Sequence, residues 1–253
     1  GLILIPAEKS KPVKDFFDGF NEVILRLIDL IMLVAPYGVF ALLAALIVES
    51  PSLDLFRALG MYAITLVIGL VVMGIFYLLI VRLFVKLNPK KFVEGIAPAQ
   101  LLAFSTSSSA ATLPVTMERV EEYLGVDEEV ASFVLPIGAT INMDGTSLYQ
   151  AVAAVFIAQA FGMDLGAGTQ LTIVMTATLA SIGAAAVPGA GMVMLVIVLA
   201  QAGIPEAGLA LIFAIDRPLD MCRTVINITG DASVSLLVAK STGKLSKHSK
   251  EKK

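Results

Sequence analysis

The sequence is poor in the side chains on which most catalytic and metal centres depend. Its 253 residues contain no tryptophan, one cysteine and one histidine. A disulfide scaffold and a cysteine-based metal cluster are therefore excluded. The single histidine, His248, lies in a lysine-rich tail, which argues against Ser-His-Asp catalysis and against histidine or haem ligation. Only 15% of the residues are charged and the net charge is −3, so there is no electrostatic basis for binding nucleic acid.

Apolar residues dominate the composition. They make up 57% of the chain, whereas a soluble domain has roughly 45–50% apolar and about 25% charged residues. The apolar runs are also much longer than the segments of about 10 alternating residues that form an outer-membrane barrel. We therefore expect an all-α membrane protein that resides in the lipid bilayer.

Four stretches have about the 20 apolar residues that a transmembrane helix needs. They are residues 23–48, 62–85, 130–161 and 209–238. Two further stretches, 92–116 and 171–202, are apolar but are interrupted by small residues and proline. The first residues, 1–6, lack the charged region of a signal peptide and look like the end of a helix.

Lysine and arginine predict the orientation of the chain, because they are enriched in cytoplasmic loops. Basic residues precede the first span, follow the second and fill the tail at 241–253, whereas the region 129–216 contains none. Both ends are therefore expected in the cytoplasm, with 241–253 as a basic cytoplasmic tail. If the interrupted stretches crossed the membrane, the loop near 162–168 would be cytoplasmic without a basic residue. Re-entrant hairpins therefore fit better.

The two interrupted stretches belong to an internal repeat. A broken hairpin followed by a polar-marked helix occurs over 92–161 and again over 171–240, with hairpin tips at 107–114 and 183–191. Irregular backbone inside a membrane is tolerated only where protein or a wet cavity satisfies its polar groups. Paired interruptions of this kind point to a binding site between inverted repeats. The alternative is that the small residues only permit tight helix packing.

The last span carries a row of polar residues on one face. At about 100° per residue, these side chains fall within one arc of roughly 100°. They are Asp216, Asp220, Arg223, Thr224, Asn227 and Asp231. Ionisable groups at membrane depth usually face a cavity or one another. An ion pair between Arg223 and Asp220 or Asp216 could serve only to fix packing, but three carboxylates, a guanidinium and an amide favour a ligand site.

A second polar interruption lies in the span 130–161. Its segment 138–146 includes Asn142, Asp144 and Gly145 between apolar flanks, which favours an unwound turn with exposed carbonyls. Together with Asp231, these oxygen atoms would suit a hard cation. The simpler alternative is a kink or a capped break in the helix.

Four segments resemble those of the dicarboxylate/amino acid:cation symporters, the glutamate transporter family, and occur in the same order. They are SSSAATLPVT, GATINMDGTSLYQ, SIGAAAVPGAG and DMCRTVINITGD. The family has eight helices and two re-entrant hairpins, arranged as an inverted-repeat core, and this chain resembles the part from helix 5 to helix 8. The implied divisions are 1–88 (end of helix 4, helices 5 and 6), 89–165 (hairpin 1, helix 7), 166–240 (hairpin 2, helix 8) and the tail 241–253.

The resemblance implies a transporter rather than an enzyme, with its substrate site on the polar face of the last helix. Arg223 would bind the side-chain carboxylate of an acidic amino acid, and Asp220 would bind the amino group. Backbone at the two hairpin tips would close over the ligand. The implied substrate-binding residues are Ser107, Ser108, Ser109, Thr146, Val187, Pro188, Gly191, Asp220, Arg223, Thr224 and Asn227.

The resemblance also implies sites for Na⁺ as the coupled ion. The first site would consist of Gly138, Asn142, Asn227 and Asp231. A second would consist of Thr140, Met143 and the hairpin carbonyls of Ser181, Ile182 and Ala184, and a third would include Asn142 and Asp144. Because a thioether is a poor ligand for a hard ion, Met143 is implied by the resemblance alone. Where the scaffold helices of the family are present, a homotrimer is implied.

The resulting prediction is sodium-coupled symport of aspartate or glutamate by alternating access. A proton-coupled dicarboxylate carrier is one alternative, but Asp220 favours an amine, since an unpaired carboxylate would repel a second acid. In the resemblance, Gln150 occupies the position of a glutamate in proton- and potassium-coupled members, which favours sodium alone. The other alternative is an anion channel, or a non-transporting fragment or redesigned chain, because helices 1–3 have no counterpart.

Overall fold

The computed structural model describes residues 7–49 and 53–246. These ranges form nine α-helices, and their only strand-like feature is an isolated bridge between Val126 and Leu245. The helical class agrees with the all-α prediction. The predicted helix end at 1–6 and most of the predicted tail, including His248, lie outside the described residues.

The first compact unit, Gly1–Glu49, contains helix α1 (Ala7–Glu49). This helix includes the predicted span 23–48 and begins well before it, because the charged segment that precedes the span is also helical. Large apolar side chains such as Leu33 and Tyr37 are exposed on α1. An exposed apolar surface of this kind suits contact with lipid or with other helices.

The second compact unit, Ser50–Lys253, contains the other eight α-helices of the described residues. Their bounds are α2 Leu53–Ile80, α3 Pro89–Thr106, α4 Ser109–Glu118, α5 Glu128–Ile141, α6 Asp144–Ala160, α7 Ala167–Ile182, α8 Ala190–Ala202 and α9 Leu209–Ser241. Helix α2 continues as a π-helical turn over Val81–Val85, and a second such turn, Arg119–Tyr123, follows α4.

One helical stretch of the described chain, Phe56–Val85, is long and apolar enough by length and composition to cross a membrane. Helices α7 and α8 are apolar but shorter. The predicted spans 62–85 and 209–238 each fall on continuous helix, whereas 130–161 is split into α5 and α6. The split is at Asn142 (φ −84°, ψ 77°) and Met143 (φ −107°, ψ 46°), within the segment where an unwound turn was predicted.

The interrupted stretch 92–116 forms the helix pair α3 and α4. Ser107 ends α3 in the left-handed region (φ 52°), and the extended Ser108 caps α4 by accepting a hydrogen bond from the Ala111 backbone N–H at 3.1 Å. A serine cap satisfies one of the N–H groups that a helix start leaves without a partner. The break is therefore shorter than the predicted tip 107–114, and Pro114 lies inside α4.

The interrupted stretch 171–202 forms the helix pair α7 and α8. The two helices are joined by residues 183–189, which agree with the predicted tip 183–191. Gly189, immediately before α8, has φ 76°. Glycine adopts this left-handed conformation without the steric cost that a Cβ atom brings. The glycine at this position therefore favours the break between α7 and α8.

Helix α9 is the central element of this unit and packs against α2, α3, α5 and α6. A hydrophobic core cluster joins α9 to α3 and α5, and its fully buried members include Phe92, Ile96, Leu135 and Leu236. Because α9 contacts the first broken pair and both halves of the split span, and hydrogen-bonds with Gly189 in the turn between α7 and α8, its residues are well placed to meet the backbone breaks.

The C-terminal end of α9 is attached to the connection between α4 and α5. The Asp127 backbone N–H donates to the Lys244 carbonyl at 3.0 Å, and the Ser246 N–H donates to the Gly125 carbonyl at 2.8 Å. Lys244 also forms an ion pair with Glu129. These contacts fix one end of the central helix to a neighbouring turn.

Replacing Leu135 by alanine should destabilise the protein by about 3 kcal/mol, because a buried cavity would replace packed methyl groups. Leu135 is 0% exposed, whereas Leu179, on α7, is 67% exposed. The matched variant Leu179→Ala should change stability by less than about 0.5 kcal/mol. Thermal unfolding followed by circular dichroism in detergent measures both, and equal losses would contradict the assignment of this core.

Candidate functional site

The predicted polar row of α9 is buried inside the second unit. Asp216, Asp220, Thr224, Asn227 and Asp231 are each less than 10% exposed, and the remaining member, Arg223, is fully buried. Burying a charged group is costly unless other groups pair or hydrogen-bond with it. The partners of these side chains therefore define the site.

Arg223 lies between two carboxylates and an aromatic ring. Its NH1 donates to Asp216 Oδ1 at 3.0 Å and its NH2 donates to Asp220 Oδ1 at 2.7 Å. The guanidinium carbon lies 3.6 Å from the centroid of the Tyr149 ring on α6. Two ion pairs and a cation–π contact thus hold a flat, positively charged group in an apolar interior.

Asp220 links α9 to the break between α7 and α8. Its Oδ2 accepts a hydrogen bond from the Gly189 backbone N–H at 3.0 Å, and Arg217 NH1 lies 3.8 Å away. The Thr224 hydroxyl donates to the backbone carbonyl of Asp220 at 2.9 Å, which keeps Thr224 on the same face. The Asp220 carboxylate therefore joins the Arg223 guanidinium to the turn between α7 and α8.

The two helix pairs meet at their breaks. The Ser108 hydroxyl donates to the Ala186 carbonyl at 2.7 Å, and the Ala110 N–H donates to the same carbonyl at 3.4 Å. A cavity of about 20 Å³ lies beneath this contact. Its lining residues are Ser107, Ser109, Met143, Thr146, Ala184, Ala185, Ala186, Val187, Gly191, Asp220, Thr224 and Asn227.

Most of the predicted substrate-binding residues therefore border one cavity. The exceptions are Ser108, Pro188 and Arg223. Ser108 is engaged in the contact between the two pairs, and Pro188 is half-buried in the α7–α8 turn. Arg223 lies just behind the wall, because a Cβ atom on Gly191 would be 3.8 Å from its NH2. The absence of a side chain at Gly191 leaves the guanidinium close to the cavity.

The break between α5 and α6 brings together the residues of the first predicted sodium site. The Asn142 amide donates to Asp231 Oδ1 at 2.9 Å and to the Asn227 carbonyl at 3.3 Å. Gly138 faces the same carboxylate, since a Cβ atom there would lie 2.5 Å from Asp231 Oδ1. The Asn227 side-chain oxygen accepts from the Gly145 N–H at 2.8 Å. All four predicted residues thus belong to one contact network.

The second predicted sodium set is less compact. The Met143 sulfur accepts from Asn227 Nδ2 at 3.4 Å and, with Ala184, borders the cavity. Thr140 is exposed and its hydroxyl donates to a carbonyl of its own helix. The Ser181 carbonyl accepts the Ala184 N–H at 3.1 Å, and the Ile182 side chain is exposed. The structure therefore brings Met143 and Ala184 together but leaves Thr140 apart.

Two tyrosines that are not among the predicted site residues contact these groups. Tyr149 stacks on Arg223, and Tyr77, on α2, donates a hydrogen bond to Asp144 Oδ2. Both lie in apolar helical runs, where an aromatic ring is most simply a core residue. Tyr149 could have been found from its spacing, because it follows Thr146 by three positions on the same helical face. No local pattern distinguishes Tyr77.

Comparison with known proteins agrees with these motifs. Residues 1–241 match the sodium:dicarboxylate symporter family. The chain and excitatory amino acid transporter 3 of Homo sapiens are 47% identical over 234 residues. This aligned region covers 92% of the chain and 45% of the relative. It is 48% identical over 227 residues to excitatory amino acid transporter 1 of Ambystoma tigrinum, covering 89% of the chain and 42% of the relative.

The chain thus spans less than half the length of these curated relatives. Transporters of this kind are membrane proteins, in agreement with the location expected from the composition. The matches also confirm the resemblance that the four motifs indicated. The chain belongs to the sodium:dicarboxylate symporter family.

Proposed function

We propose that this chain contains the substrate and ion sites of a sodium-coupled symporter for acidic amino acids. The observation that carries the proposal is the convergence of three helix starts on one cavity. Ser109 is the first residue of α4, Thr146 lies in the first turn of α6 and Gly191 in the first turn of α8, and all three border the cavity. Helix N-termini carry partial positive charge, which favours anions.

The charged groups beside the cavity favour an amino acid over a simple diacid. Arg223 offers a planar fork suited to a carboxylate, and Asp220 offers an anion suited to an ammonium group. In the structure these two side chains are paired with each other, because Arg223 NH2 donates to Asp220 Oδ1 at 2.7 Å. A ligand carrying both a carboxylate and an amine can replace that pair with two pairs of its own. A diacid would leave Asp220 facing a second negative charge.

The neighbouring network around Asp231 favours a cation. In the described part of the chain, Asp231 hydrogen-bonds with the neutral amide of Asn142 and forms no ion pair. No three His, Cys, Asp or Glu side chains come together there as a metal cluster. Asp144, Asp231 and the neutral oxygens of Asn142 and Asn227 are oxygen donors, which hard cations prefer. Sodium fits this set as a co-transported substrate.

The helix pairs α3–α4 and α7–α8 are proposed to be re-entrant hairpins in an inverted repeat. The order of elements supports this: one pair precedes the split helix α5–α6, and the other precedes α9. Residues 89–165 and 166–240 would be the two halves, 1–88 would correspond to the end of helix 4 and helices 5 and 6 of the family, and 241–253 would be cytoplasmic. With the scaffold helices of longer relatives, the assembly would be a homotrimer.

Alternating access would then depend on the contacts between the two breaks. The hydrogen bonds from Ser108 to Ala186 and from Gly189 to Asp220 close the cavity from the side of the turns. Each is a single hydrogen bond of modest net free energy, about 1 kcal/mol for a neutral pair and somewhat more for a charged acceptor. Replacing them during transport is therefore inexpensive compared with unfolding a helix.

The direct test is binding of labelled aspartate to the purified chain in sodium chloride and in choline chloride, with succinate as competitor. We expect binding in sodium only and weak competition by succinate. Equal affinity for succinate would identify a dicarboxylate carrier. Binding that follows pH and ignores sodium would identify proton coupling, and no aspartate binding in either salt would contradict the proposal.

Arg223→Lys should weaken aspartate binding by roughly 30-fold to 100-fold, because lysine keeps the charge but loses the bidentate fork. The control is Arg217→Lys, since Arg217 is partly exposed and lies 3.8 Å from Asp220. Its effect should be less than about threefold. Isothermal titration at saturating sodium measures both affinities. An aspartate affinity of Arg223→Lys within threefold of the parent would refute the assigned role of Arg223.

Asp231→Asn should raise the sodium concentration for half-maximal aspartate binding about tenfold or more, while binding at saturating sodium remains measurable. The substitution preserves shape but removes the charge that would attract the ion. Asp164→Asn, at an exposed loop position, is the control and should leave the sodium dependence unchanged. An unchanged sodium dependence in Asp231→Asn would rule out this carboxylate as part of the site.

A further inference from the structure

We propose that Tyr77 is a positioning residue for the cation site at the α5–α6 break, and that it holds the Asp144 carboxylate in place for the ion. The inference rests on the proposed sodium coupling. Tyr77 lies on α2, is 6% exposed, and its hydroxyl donates a hydrogen bond to Asp144 Oδ2. Asp144 is the first residue of α6, so this contact ties the split helix to a helix outside both repeats.

A glycine on α9 makes room for this contact. A Cβ atom on Gly230 would lie 2.7 Å from the Tyr77 hydroxyl oxygen and 2.5 Å from Asn142 Nδ2. The phenol and the amide therefore approach the same point of α9, where only a glycine leaves enough space. Gly230 is also the immediate neighbour of Asp231, whose carboxylate accepts a hydrogen bond from the Asn142 amide at 2.9 Å.

The half-buried carboxylate of Asp144 and the buried carboxylate of Asp231 are held in the same way. Tyr77 donates to Asp144, and Asn142 donates to Asp231. Each donor is neutral, so it fixes a carboxylate without placing a competing positive charge beside the ion, as lysine or arginine would. A carboxylate has two oxygens and about four lone-pair positions, so the bond to Oδ2 leaves Oδ1 of Asp144 for a cation.

This arrangement has a measurable consequence. Donors that orient a metal-binding carboxylate typically contribute about 10-fold to 100-fold to metal affinity. Without the Tyr77 hydroxyl, Asp144 would turn away from Asp231, since two nearby carboxylates repel each other. The ion would then lose one of its two anionic ligands. Tyr77 therefore sets sodium affinity without contacting the amino acid.

The test compares Tyr77→Phe with Tyr62→Phe. Both tyrosines are buried on α2, and the Tyr62 hydroxyl has no hydrogen-bond partner among the described residues, so the control removes the same atom elsewhere. The thermal unfolding midpoint is measured against sodium chloride at constant ionic strength, with choline chloride as the balancing salt and no amino acid present. The sodium dependence of aspartate binding is measured in parallel.

In Tyr77→Phe we expect the half-maximal sodium concentration to rise about tenfold in both measurements, with aspartate affinity at saturating sodium within threefold of the parent and Tyr62→Phe unchanged. A sodium dependence within twofold of the parent would overturn the inference. Equal destabilisation in choline and in sodium, with no shift in sodium dependence, would show a packing role and overturn it too. A parent chain without any sodium response would overturn the proposed function as well.

Discussion

The burial of the Arg223 guanidinium is the constraint on which the rest of this structure depends. A fully buried cation requires several partners, and these come from Asp216 and Asp220, earlier on the same helix, and from the Tyr149 ring on α6. This requirement explains why α9 lies at the centre of its unit and why α6 must pack closely beside it. A Cβ atom on Gly145 would lie 2.7 Å from the Arg223 carbonyl, so the absent side chain permits that approach.

The interrupted helices place a second requirement on the polar side chains of the site. Each break leaves backbone N–H groups that need acceptors, and the acceptors come from the other elements of the site. Asp220 accepts the Gly189 N–H, Asn227 accepts the Gly145 N–H, and Ser108 caps its own helix. The polar row of α9 thus serves two purposes, because it neutralises the arginine and it completes helices that end inside an apolar interior.

The sequence predicts much of this arrangement for physical reasons. The period of an α-helix places Asp216 and Asp231 on one face, and glycine and serine mark the breaks at 107–108 and 183–189. The roles of individual residues as ligands came from the family motifs and not from patterning. Tyr77 was not found, because a buried phenol on an apolar helix has the same pattern as a core aromatic. The extent of α4 was also misjudged, since a serine cap restarts the helix well before Pro114.

The attachment of α9 at its C-terminal end has a mechanical consequence. Two backbone hydrogen bonds and the ion pair between Lys244 and Glu129 hold this end to the α4–α5 connection. Rotation of α9 about its own axis would strain these three contacts, and it would also withdraw Arg223 from the Tyr149 ring on α6 and Asp220 from the Gly189 N–H. Within its unit, α9 is therefore tethered at its C-terminal end as well as along its polar face. Changes in the shape of the cavity require the least disruption at the two turns at 107–108 and 183–189. Ser108 and Ala110 donate hydrogen bonds to the Ala186 carbonyl, and Gly189 donates one to Asp220.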